Sequence, residues 1–244
     1  MLKKILISLL FLFGIHFGFS QNYELAKSKN DKEIIKHFAY TLSYSEKDEQ
    51  AFWVAYVLKK ENIGEGEKRT NKFITDPLVK TESANNNDYK NSGFDRGHLA
   101  SAADMKWSAV AMKECFYYSN MSPQIPAFNR GIWKKLEEKV RVWALEKGTL
   151  YIATGPVLTD GLSSIGPDKV SVPKYFYKAI LFYNGSKSEA IAFLLPNESS
   201  VESIYIFTIS IDSLEAKTGI DFFYNLSDNI ESAVESKFDL NYWK

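Results

Sequence analysis

The clearest pattern in this 244-residue chain is a run of helical spacing over 130–147. Ile132, Trp133, Leu136, Val140, Trp143 and Ala144 fall on one face, and Gly148 stands where a helix end takes glycine. The sequence on either side reads as strand. Phe38, Tyr40, Leu42 and Tyr44 alternate with Ala39, Thr41 and Ser43, which predicts a half-buried strand. Residues 52–58 are apolar on both faces. Residues 150–153 predict a buried strand that ends at Gly155 and Pro156. Residues 175–183 and 190–195 predict a hairpin around Asn184 and Gly185. Shorter helices are expected over 108–116, over 212–217 with Asp212 as cap and Gly219 as stop, and over 227–237. Residues 59–91 are polar, rich in Lys and Asn, and read as a long surface loop of the functional kind. Strands in succession with helices inserted predict an α+β fold with a central, mostly antiparallel sheet flanked by helices.

The first residues are set apart. Lys3 and Lys4 precede an apolar run over 5–19, and Ser20, Gln21 and Asn22 return to polar sequence. This is the layout of a secretory signal peptide cleaved near Ser20, and the run is shorter than the ~20 residues a membrane span needs. Residues 1–20 are thus expected to be a leader and 21–244 a single domain, secreted or periplasmic and free of the membrane after cleavage. Cys115 is the only cysteine, so export here implies no internal disulfide; its apolar neighbours predict a buried, inert thiol. Lys and Arg total 30 and Asp and Glu total 30, so any site for a polyanion has to be local.

Histidine supply narrows the search for chemistry. Of the three, His16 leaves with the leader and His37, just before the first strand, is expected to be a surface or half-buried side chain. His98 sits in Asp95–Arg96–Gly97–His98, a knot of acid, base, glycine and imidazole. The glycine allows an unusual backbone angle or a close ligand approach, and a neutral imidazole takes a proton from water near pH 7. Asn129 opens the long helix, as a cap or as a ligand. Glu137 follows by eight residues, roughly on the same side, and Arg141 by four more, at ion-pair spacing. An amide oxygen and a carboxylate are hard donors that suit Mg²⁺.

Taken together, Asp95–Arg96–Gly97–His98, Ser119–Asn120 before Pro123–Gln124, Asn129 with Trp133, and Leu136–Glu137 closely resemble the DNA/RNA non-specific endonuclease family, the ββα-metal nucleases. Weaker similarity runs from Trp53 to Tyr56, at Ala153–Thr154–Gly155–Pro156, through Val172–Pro173 and Tyr175–Phe176–Tyr177–Lys178, and at Leu195–Pro196–Asn197, so it covers nearly all of the mature chain. The resemblance implies a ββα-metal finger built on the sheet. It implies His98 as general base, Asn129 as the direct ligand of Mg²⁺ or Mn²⁺, and Glu137 holding that metal through water. Arg96, Arg141 and a further arginine, best matched by Arg69, assist the phosphate. DNA and RNA are then the substrates, cut with little sequence preference to leave 5′-phosphates, since contacts to the backbone carry no sequence information. Local positive charge is available from Lys59, Lys60, Lys68, Arg69, Lys72 and Lys90 in the loop and from Arg130, Lys134 and Lys135 on the helix. A homodimer is compatible with all of this. The alternative, a catalytically inactive nucleic-acid-binding domain of the same fold, is disfavoured because His98, Asn129 and Glu137 are all retained.

Overall fold

In a computed structural model that describes residues 22–244, the segment apolar on both faces becomes an interior strand of a seven-stranded sheet. The sheet begins with β1 (Glu33–Lys36), β2 (Thr41–Ser45) and β3 (Gln50–Leu58), an antiparallel meander. The chain then leaves the sheet. β4 (Asp95–His98) and β5 (Met121–Gln124) pair as a separate two-stranded finger, with α1 (Ala109–Glu114) between them. The long helix α2 (Lys134–Lys147) follows, and the chain re-enters the sheet through β6 (Leu150–Pro156), antiparallel to β3. β7 (Tyr175–Tyr183) and β8 (Ser188–Pro196) are the expected hairpin, and β9 (Thr208–Ile209) pairs along the free side of β8. α3 (Ile211–Thr218) and α4 (Asp228–Glu235) come next. The spatial order is β9-β8-β7-β6-β3-β2-β1, antiparallel throughout. The fold is α+β. The leader expected over 1–20, with His16, lies outside the described residues.

Both faces of the sheet are covered, which is why its central strands read as continuous apolar runs. Along β7, Phe176, Ile180 and Phe182 face the core shared with α2, while Tyr177, Ala179 and Leu181 face the core shared with α3 and α4. α2 contributes Leu136, Val140, Trp143 and Ala144, the stripe read from the sequence, and all four are buried. On the opposite side Ile211, Leu214 and Val234 pack against Ala190, Ala192 and Phe222. The finger and α2 lie on the first of these sides, and the indole Nε1 of Trp133 donates to the His98 carbonyl at 3.4 Å.

Several local expectations are corrected. Residues 38–40 are not strand: the His37 amide donates to the Tyr40 carbonyl at 2.8 Å, a reverse turn that leaves Phe38 exposed and starts β2 at Thr41. His37 is buried rather than superficial, and its Nε2 meets Asp76 Oδ2 at 2.8 Å. α3 is capped by Ser210, whose hydroxyl accepts from the Ser213 amide, and not by Asp212. The polar stretch 59–91 contains a short helix, Asn86–Tyr89, opened by a capping box on Asn85, and buries Asp76, Val79 and Ala84. Cys115 is fully buried, and burial pushes its thiol up to about 12, as befits an inert side chain.

Candidate active site

Six residues far apart in sequence, Arg69, Arg96, His98, Asn129, Glu137 and Arg141, line one cleft of about 350 Å³ beside the finger. Ser101, Ala102, Ala103, Arg130 and Lys134 complete the wall. Five of these side chains are cationic and one is a carboxylate, so a chain with no net charge carries its positive potential where the cleft is. Of the other basic residues considered from sequence, Lys59, Lys60, Lys68, Lys72, Lys90 and Lys135 do not line it.

His98 ends β4, and the segment after it is fixed by Asn120. The Asn120 amide accepts from the Ala100 backbone at 2.9 Å and donates to the carbonyls of Ala100 and Cys115 at 3.0 and 2.8 Å. The imidazole packs edge-on against Phe116 at 4.8 Å and lies 5.7 Å from Phe73. It is 7% exposed, and its Nε2 has no hydrogen-bond partner. Burial, with Arg69 adding to it, drives its pKa down to about 3, so the ring is neutral at pH 7. The glycine before it has an ordinary backbone angle. A Cβ at Gly97 would stand 2.2 Å from the Gln124 side chain across the finger, so the glycine serves strand pairing rather than ligand approach.

Asn129 is not the N-cap of the long helix. The helix begins one turn earlier, at Pro126, and widens into a π-type turn over Asn129–Trp133 in which Gly131 leaves helical geometry. Such widened turns re-aim side chains and recur at functional sites. The Asn129 backbone amide bonds within the helix to Ile125, and its Nδ2 donates to Asp95 Oδ2 at 2.8 Å. Arg130 forks onto the same carboxylate at 2.8 and 2.6 Å. Burial opposes ionisation of Asp95, but Arg130 and Asn129 outweigh it and hold the group below the usual carboxylate range.

Glu137 and Arg141 do not pair with each other in the structure, although their spacing allows it. Arg141 donates instead to buried Asp104 at 2.8 Å, whose other oxygen accepts from the Tyr56 hydroxyl at 2.8 Å. The Glu137 carboxylate accepts from Ser101 at 3.2 Å. Burial pushes its pKa up to about 7, against the pull of Lys178 and Arg141. Lys178, fully buried in β7, donates to Thr154 Oγ1 at 3.2 Å with its ammonium 4.9 Å from the Trp133 ring. Burial lowers its pKa to about 8, opposed by Glu137 and Asp104.

The arginines differ in freedom. Arg96 donates to the Tyr118 hydroxyl at 2.9 Å and to Asn86, over the rings of Phe73 and Tyr89. Arg69 is exposed, donates to Asn71 at 2.7 Å and lies 5.0 Å from the Phe116 ring. The sequence reading assigned no role to Asp95, Ser101, Asp104 or Lys178. Asp95 and Lys178 did carry a signal, the one as the first residue of the Asp-Arg-Gly-His run and the other as a charge inside an apolar strand.

The family model for DNA/RNA non-specific endonuclease matches residues 20–229. Human mitochondrial endonuclease G is 36% identical over 203 residues, which is 77% of this chain and 68% of that protein. A nuclease of Nostoc sp. is 32% identical, over 86% of this chain and 80% of that protein. The solved structure of the EndoG/EndoGI complex superposes with a TM-score of 0.75 at 30% identity, covering 81% of this chain and 88% of that one.

Proposed function

Because this chain belongs to the DNA/RNA non-specific endonuclease family, and is therefore a phosphodiester hydrolase, we propose that it cuts DNA and RNA through His98 with a divalent metal held in the same cleft. The observation that carries this reading is the convergence of Arg69, Arg96, His98, Asn129, Glu137 and Arg141 on one cationic cleft, with the His98 Nε2 unpartnered. The donor set fits Mg²⁺ or Mn²⁺. With its amide nitrogen committed to Asp95, Asn129 would offer its carbonyl oxygen to the ion, and the Glu137 carboxylate would hold it through water. When bound, the metal supplies charge neutralisation at the phosphate and the leaving oxygen.

The protein's own residues account for the rest. A neutral imidazole with a vacant nitrogen removes a proton from water, and the walls of Phe73 and Phe116 fix its direction. Arg69 both depresses the His98 pKa and offers a positive charge to the substrate. A phosphate beside Arg69 cancels that charge, so His98 becomes more basic as substrate arrives. Nothing in this scheme requires contact with base edges, which supports weak sequence preference and action on both DNA and RNA. Export through a leader over 1–20 is the second half of the proposal; it rests on the basic start and apolar run of that segment.

The decisive experiment digests plasmid and RNA with the purified chain and with His98→Ala, each with and without EDTA. Cleavage by His98→Ala should fall about 10²–10⁴-fold. EDTA should stop the parent, and Mg²⁺ or Mn²⁺ should restore it with 5′-phosphate ends. Full activity in the variant sinks the base assignment, and undiminished activity in EDTA sinks the metal.

A further inference from the structure

The face of the sheet away from the cleft carries a group of carboxylates that phosphodiester hydrolysis does not use. Asp212 and Glu215 stand about one turn apart on α3, and Glu235 is the last residue of α4. One oxygen from each lies within 4.8 Å of the other two. Glu235 is 8% exposed, contributes an oxygen to this cluster, and has its Oε1 buried with no hydrogen-bond partner. A buried carboxylate oxygen without a donor is costly unless positive charge reaches it.

Among the described residues none of the three is in an ion pair. The backbone amide of Phe222 donates to Glu215 Oε1 at 2.8 Å, which positions that side chain without neutralising it. Glu235 ends a helix, where the partial charge is already negative and Lys or Arg is the favoured residue, and the last turn of α4 has no basic side chain. Burial and the surrounding carboxylates push Glu215 up to about 7 and Glu235 up to about 8.

We propose that Asp212, Glu215 and Glu235 form a Ca²⁺ site, remote from the cleft, that ties α3 to α4. Three hard oxygen donors with no His or Cys suit Ca²⁺, Mg²⁺ or Mn²⁺ rather than Zn²⁺ or Cu²⁺. Tolerance of geometry favours Ca²⁺ for carboxylates that come from two separate helices: it takes six to eight oxygens at about 2.3–2.6 Å in flexible order, whereas Mg²⁺ demands a near-ideal octahedron at about 2.0–2.1 Å. Asp212 is exposed and Glu215 half-buried, so water completes the shell. The cation replaces mutual repulsion with a bridge between the two helices that cover this face.

The test uses the chain carrying Asn129→Ala, which removes the metal ligand proposed for the cleft. Calorimetric titration at pH 8 should show one Ca²⁺ per chain. At Ca²⁺ a hundredfold above Kd the melting temperature should rise by about 5–10 °C. Glu235→Gln and, separately, the exposed-site change Asp212→Asn should abolish or sharply weaken both signals. Glu235→Gln should melt no lower than its parent in EDTA, which separates loss of the site from loss of the fold. Absence of Ca²⁺ binding in the parent, or undiminished binding in both variants, overturns the proposal. Equal binding of Mg²⁺ overturns the Ca²⁺ assignment. Stabilisation by Glu235→Gln with no Ca²⁺ binding in the parent identifies a shared proton instead and likewise overturns it.

Discussion

The Asn129 amide is held by Asp95: Nδ2 donates to Oδ2 at 2.8 Å, and Arg130 grips both oxygens of the same carboxylate. This fixes which end of the amide is left for a cation. On the metal reading proposed above, the first residue of the Asp-Arg-Gly-His run would position a ligand 34 positions away. Asp95→Ala frees the amide to rotate, and partners of this kind are worth about 10–100-fold in metal affinity. The Mg²⁺ concentration for half-maximal plasmid cleavage should rise by that factor, with much of the rate recovered at saturating Mg²⁺. An unchanged Mg²⁺ dependence would show that Asp95 does not orient Asn129.

His98 makes a prediction about pH that needs no substrate. Its pKa in the fold, about 3, lies below the ordinary 6.5 because burial, with Arg69, disfavours the imidazolium. Between those values the unfolded chain binds a proton that the folded one refuses, so stability falls as pH drops from about 6.5 towards 3. Ring NMR of the folded protein should show no protonation of His98 from pH 8 to pH 5. Urea unfolding of His98→Asn should lose less stability than the parent over the same interval. Titration of the His98 ring near 6.5 would contradict the burial argument.

The architecture was readable where periodicity was strong. The α2 stripe, the β7–β8 hairpin and the doubly buried β3 all follow from apolar spacing, because a covered sheet leaves few places for polar residues. The misplaced details are those decided by single hydrogen bonds, such as the His37–Tyr40 turn and the Ser210 cap. At the site, the six lining residues expected from the sequence carry types that chemistry demands. Asp104 and Ser101 carry no such mark; their partners, Arg141 and Glu137, become visible only when α2 is laid against the segment following β4.

Gly97 offers a test of how tightly the finger sets His98. A methyl group there would fall 2.2 Å from the side chain of Gln124, which is fully buried and has to shift to admit it. Overpacking of this kind costs about 1–3 kcal/mol. Gly97→Ala should lower the urea midpoint accordingly. It should also reduce kcat at saturating Mg²⁺, because His98 is the next residue on the same strand. A variant with normal stability and normal kcat would show that the strands can part without moving the imidazole.

Arg141 has two claims on it, and the ion pair is the stronger. It lines the cleft, but its guanidinium is bound to Asp104, whose side chain is 1% exposed and already accepts from Tyr56. Removing the arginine leaves a buried carboxylate without its cation, a change that typically costs about 3–5 kcal/mol, whereas removing both partners costs far less. Arg141→Leu should therefore destabilise the fold by about 3 kcal/mol in urea titrations, and Arg141→Leu with Asp104→Leu should recover part of that loss. Activity separates the two roles. If Arg141 also supports the phosphate, the double variant regains stability but not rate; if the pair is purely structural, rate returns with folding. Arg141→Leu with unaltered stability would refute the dependence of Asp104 on it.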